Sequence, residues 1–163
     1  MSARNGTAGQ AIPDLGPLDG TGLSAAVVAS SWHQVVMDGL IAGALRGLAE
    51  AGITEPELVR VPGSFELPVA CSRLAPDFDL LVGLGVVIQG ETPHFDYVCT
   101  AATEGITQVA VRTGTPIGFG LLTCDDEAQA LDRCGIEGSK EDKGYQAAEA
   151  AVATVLALRS VGH

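Results

Sequence analysis

Apolar and polar positions along the chain follow two alternating patterns. SAAVVAS (24–30) and LLVGLGVVI (80–88) are apolar on both faces, as expected of strands covered from either side. Between them Val36, Leu40, Ala44 and Leu48 recur every four residues, which predicts a helix with one buried stripe, ended by Gly52. ELVRV (57–61) predicts a second strand, and ELPVACSRLA (66–75) a second helix closed by Pro76. Further on, a helix is expected from Phe95 to Val109 and a fourth strand over Ile117–Thr123. A short helix over Ala128–Arg133, capped by Asp125 or Asp126, and a last helix over Lys143–Arg159 complete the pattern. Strands alternating with helices make the class α/β with a parallel sheet and helices on both faces. Ligands of such sheets bind beyond the carboxyl ends of the strands.

The 163 residues suit one domain, and 47% apolar against 18% charged excludes a disordered body. Residues 1–22 carry Pro13, Pro17 and repeated glycines without periodicity, so a flexible N-terminal arm is expected there and a single domain over 23–163. Nine basic against twenty acidic residues give a net charge of −11, which argues against nucleic acid or an anionic membrane as partner. Cys71, Cys99, Cys124 and Cys134 form no C-x-x-C, and three histidines add no set spaced for zinc. Free thiols, with neither a signal pattern nor an apolar run of about 18 residues, lead to the expectation of a cytoplasmic chain.

Rarer residue types gather after the strands. Ser31-Trp32-His33 follows the first, VPGSFE (61–66) the second, QGETPHF (89–95) the third, and GFG (118–120) lies within the fourth. Trp32 suits either core packing or stacking on a flat heterocycle, while His33 reads as an exposed loop residue. Gly63 suits a tight turn; Ser64 and Glu66 suit an ordinary helix start or a set of acceptors for a polyol or amide. Gly90, the Thr92 hydroxyl and nearby amides suit an anion, with Glu91 turned to solvent. His94, beside that pocket, suits proton transfer near neutral pH. The stretch 125–142 holds seven of the twenty carboxylates. Arg133 within it and Lys143 just after it are conspicuous basic residues, either surface ion pairs or a grip on phosphate.

Together these stretches resemble the lumazine synthase (6,7-dimethyl-8-ribityllumazine synthase) family. The resemblance rests on VVASSWH (27–33), VPGSFELP (61–68), LGVVIQGETPHFDYV (84–98), PIGFGLLT (116–123), EAQALDR (127–133) and DKG (142–144), in the family's order. It implies a flavodoxin-like αβα sandwich with sheet order 2-1-3-4. It also implies condensation of 5-amino-6-(D-ribitylamino)uracil with 3,4-dihydroxy-2-butanone 4-phosphate, without metal or organic cofactor. By the same resemblance Trp32 stacks on the pyrimidine, and Ser64, Phe65, Glu66, Val86, Val87 and Ile88 line the ribityl and pyrimidine pocket. Gly90, Glu91 (through its amide), Thr92 and Arg133 hold phosphate, His94 moves protons, and Lys143 completes the site with Phe119 from a neighbouring subunit. Nine residues, CGIEGSKED, separate Arg133 from Lys143. That exceeds the compact turn of capsid-forming relatives, so a homopentamer is expected rather than an icosahedral shell. A non-catalytic flavin or lumazine binder and an archaeal-type riboflavin synthase are the alternatives.

Overall fold

The computed structural model describes residues 12–162. Among them, β1 (Ala25–Ala29), β2 (Glu57–Arg60), β3 (Leu80–Ile88) and β4 (Ile117–Cys124) pair in parallel as one sheet of order β2-β1-β3-β4. The connecting helices are α1 (Gln34–Glu50), α2 (Leu67–Leu74), α3 (His94–Thr113), α4 (Glu127–Leu131) and α5 (Lys143–Arg159). This is the α/β sandwich and strand order expected. Alternate residues of the central strands feed two cores. Val27, Val82 and Leu84 face α1 and α5, whereas Val28, Leu81 and Leu121 face α2 and α3. The edge strand β2 is mostly exposed, which suits its Glu57 and Arg60. No helix among the described residues is long and apolar enough to cross a membrane.

Three helices differ at their ends from the sequence expectation. The helix expected at 66–75 is preceded by a 3-10 turn at Ser64–Glu66, and Pro76 sits inside another at Ala75–Asp77. Proline's fixed φ and missing N–H suit the start of a helical turn, so Pro76 changes the helix type without stopping it. Helix α3 runs past Val109 because its stop is Gly114, left-handed at φ 75°, whose amide donates to Ala110 at 2.8 Å. Helix α4 ends at Leu131, and Asp126 is its cap, accepting from the Gln129 amide at 2.9 Å.

The expected flexible arm falls partly on residues 1–11, which lie outside the described residues. Beyond them, the Gly20 amide donates to the Ala51 carbonyl at 2.7 Å, and Leu18 packs against the α1 side of the core.

Helices α1 and α5 approach closely because small residues line their contact. A Cβ on Gly144 would lie 2.1 Å from the Leu40 carbonyl oxygen, and one on Gly47 3.1 Å from Ala148 Cβ. Asp142 fits beside Gly43, pairs with Arg46 and accepts from the Tyr145 amide as the cap of α5. The Arg46 guanidinium stacks 5.1 Å from the Tyr145 ring centre.

At the opposite end of the sheet Asp79 joins three elements. It accepts from the Ser24 amide at 2.8 Å and hydroxyl at 3.2 Å, and from Arg159 at 2.7 Å. The Ser24 amide, with smaller help from the Ser24 hydroxyl and Arg159, holds the Asp79 carboxyl below its ordinary value. A depressed folded value stabilises above the unfolded value near 4, and that contribution disappears as pH falls through the folded one. Asp79→Asn is therefore expected to cost about 1 kcal/mol at pH 7. Urea melts of variant and parent should converge as pH falls below the ordinary carboxylate value and through the lower folded one. A gap that is constant with pH would refute the linkage.

Candidate active site

The loops after β1, β2 and β3 enclose a cavity of about 750 Å³ at the carboxyl edge of the sheet. Trp32, Ser64, Phe65, Glu66, Val86, Val87, Ile88 and His94 all line it. Two of these side chains are unusual for their size: Trp32 is 68% exposed and Phe65 63%. Aromatic faces left open beside an apolar floor offer a flat surface to a flat ligand.

Backbone bonding fixes where the aromatics emerge. The Ser31 hydroxyl donates to the Val61 carbonyl at 2.8 Å, tying the β1 loop to the β2 loop. His33, at φ 58°, is the one non-glycine residue with positive φ among the described residues, and it makes the turn into α1. Gly63 is extended at φ −142°, so the turn does not need a glycine there. Its bareness supplies room instead: a Cβ would stand 3.3 Å from Glu66 Oε1 and 3.5 Å from the Trp32 indole.

Glu66 accepts from the Gly63 amide at 2.9 Å through Oε1, and its second oxygen has no protein hydrogen bond among the described residues. The Ser64 hydroxyl is the buried side-chain oxygen without a partner among the described residues, on a side chain 6% exposed. It lies over Gly85, where a Cβ would approach it to 2.6 Å. A buried, unsatisfied hydroxyl costs free energy until a partner arrives. Ser64 is one of the residues lining the cavity, its hydroxyl oxygen itself buried.

The Gln89 amide donates to the Cys124 carbonyl at 2.9 Å, after which the chain leaves the sheet. Gly90, Glu91 and Thr92 are exposed, Glu91 as expected, and a Cβ on Gly90 would meet open space. The Thr92 hydroxyl accepts from the His94 amide at 3.3 Å. These three residues flank the cavity without lining it.

Phe119, Arg133 and Lys143 do not line it either. Phe119 is 47% exposed on the outer strand β4. Arg133 and Lys143 are brought to each other: the Lys143 amide donates to the Arg133 carbonyl at 2.9 Å, and both side chains face Glu141. Burial pushes the Cys124 thiol up and the Arg133 charge pulls it down, which sets that charge near the end of β4. Cys71, wholly buried, is pushed up to about 12 and is chemically silent.

Sequence reasoning missed His33, Tyr97 and Val98 as lining residues. Tyr97 and Val98 stand three and four positions after His94, so helical spacing from that histidine was the available signal. It also missed Glu141, one carboxylate among many in an acidic stretch, which nothing in the spacing singles out.

The profile of the 6,7-dimethyl-8-ribityllumazine synthase family matches residues 22–159. A 6,7-dimethyl-8-ribityllumazine synthase of Cutibacterium acnes is 68% identical over 158 residues, 97% of this chain and 95% of that protein. Proteins of the same name from Paenarthrobacter aurescens and Streptomyces coelicolor are 63% and 61% identical, over 91% and 94% of this chain and 92% and 96% of their own lengths. With its sheet order, its open aromatic cavity and these relatives, the chain belongs to the 6,7-dimethyl-8-ribityllumazine synthase family.

Proposed function

We propose that the protein condenses 5-amino-6-(D-ribitylamino)uracil with 3,4-dihydroxy-2-butanone 4-phosphate, giving 6,7-dimethyl-8-ribityllumazine, phosphate and water. The observation that carries this reading is the cavity itself: an open indole, an unpartnered Ser64 hydroxyl, a half-engaged Glu66 carboxylate and an imidazole around an apolar floor. Trp32 stacks on the pyrimidine, Ser64 and Glu66 receive its polar edge and ribityl hydroxyls, and Phe65, Val86, Val87 and Ile88 supply the walls. Gly90, Glu91 and Thr92 present backbone and hydroxyl to phosphate, which Arg133 and Lys143 neutralise.

The steps ask for orientation and for protons. The 5-amino group adds to the ketone and water leaves, forming the imine. Elimination then expels phosphate, and the second amine closes the ring with loss of water. His94 moves protons in these steps without a stronger acid or base. Because the two reactants condense by themselves, positioning supplies much of the rate.

Phe119, Arg133 and Lys143 lie outside their own chain's cavity, which supports a site completed by an adjacent copy in a homopentamer. The long Arg133–Lys143 connection favours a bare pentamer over a shell. Light scattering giving a capsid-sized particle would reject this. Residues 23–163 act as one cytoplasmic domain.

The assay mixes both substrates and follows lumazine absorbance with released phosphate. A passive flavin or lumazine binder releases none, and a riboflavin synthase consumes lumazine instead. His94→Ala is expected to slow kcat by about 10–100-fold, at or below the low end of acid–base effects. Loss of all activity, or none, would remove His94 from this role.

A further inference from the structure

Glu141 occupies the gap between the two cations assigned to phosphate. Its Oε1 lies 2.9 Å from Lys143 Nζ, its Oε2 4.0 Å from Arg133 Nε, and the side chain is only 15% exposed. The main chain around it is held from several directions. The Lys140 and Glu141 amides donate to the Asp132 carbonyl at 2.9 and 3.0 Å, and Cys134 bridges to Asp142. Arg133 Nη1 is tied separately to the Gln129 carbonyl at 2.9 Å, and Lys143 opens α5. Arg133 thus keeps a side-chain anchor without Glu141, whereas the Lys143 ammonium is held among the described residues by Glu141 alone, its main chain being fixed at the start of α5; to both cations the carboxylate adds negative charge.

The reaction makes this charge consequential. The four-carbon phosphate must be bound, yet its elimination leaves inorganic phosphate among the same groups, and that phosphate must depart. Two free cations would favour the departing ion as much as the arriving ester. One carboxylate between them reduces a net +2 to +1 in a partly desolvated place, where charge is weakly screened.

We propose that Glu141 is a positioning residue that tempers the Arg133–Lys143 pair so that phosphate, once eliminated, is released. The inference rests on the reading that these cations bind phosphate.

The test uses the assembled protein and inorganic phosphate as inhibitor against the four-carbon substrate. Glu141→Gln, close in shape but uncharged, should tighten phosphate inhibition about tenfold. KM for the butanone phosphate should fall, kcat should fall as release becomes slow, and KM for the pyrimidine should stay. A merely structural role would loosen the site and move phosphate inhibition the other way. Unchanged or weaker inhibition in E141Q overturns the proposal. Should E141Q fail to assemble, Glu141→Asp, which draws the charge back from Lys143, should tighten inhibition about two- to threefold, and no tightening there overturns it equally. Arg133→Gln separates the two levels. If R133Q leaves phosphate inhibition intact, the site reading fails; if R133Q weakens it while E141Q does not tighten it, only the role of Glu141 fails.

Discussion

Arg133→Ala is expected to raise KM for 3,4-dihydroxy-2-butanone 4-phosphate about 30-fold and leave KM for the pyrimidine within about twofold. A charge-assisted bond from a guanidinium to phosphate contributes about 2 kcal/mol, and each 1.4 kcal/mol is tenfold. The pyrimidine is insulated from the change because Trp32, Ser64 and Glu66 belong to the cavity and Arg133 does not. Arg133→Lys should recover only part of the loss, since an ammonium cannot reproduce the planar fork. The Nη1 bond to Gln129 also braces the end of α4, so a small fall in stability should accompany the kinetic change. Initial rates with each substrate varied in turn decide the matter. Equal shifts in both KM values, or none, would detach Arg133 from phosphate.

Gly144→Ala should destabilise the fold by about 2–3 kcal/mol, although alanine is the better helix former by about 1 kcal/mol. The added Cβ would meet the Leu40 carbonyl oxygen at 2.1 Å, its carbon at 2.8 Å and Cα at 2.9 Å. All three are backbone atoms of a neighbouring helix, so no side chain can swing aside. Gly47→Ala on the facing helix meets its nearest atom at 3.1 Å and should cost distinctly less. Denaturation midpoints in the order parent, G47A, G144A bear this out; reversal or equality of the two variants does not. Because Lys143 precedes Gly144, G144A should also weaken the butanone phosphate.

How much of this was legible beforehand follows from the range of the interactions. The central strands were readable because burial on both faces leaves an uninterrupted apolar run, as in residues 80–88. Helix ends were less so. Pro76 carries the same local signal whether it stops a helix or starts a 3-10 turn, and only the surrounding chain decides. The cavity-lining residues cluster in sequence just after strands, so the parallel topology brings them together. The grouping of Arg133 and Lys143 around Glu141 depends on a turn in 134–142 whose closure no periodicity announces.

His33 has a consequence for how this sequence can change. Its left-handed backbone costs about 1 kcal/mol or more in a residue with a Cβ, and glycine would adopt it freely. Folding alone would therefore accept a smaller residue between Trp32 and α1. His33 is also one of the residues lining the cavity, so the position sets stability against ligand geometry. Asparagine, which also tolerates this backbone, is the substitution that best separates the two demands; β-branched residues satisfy neither.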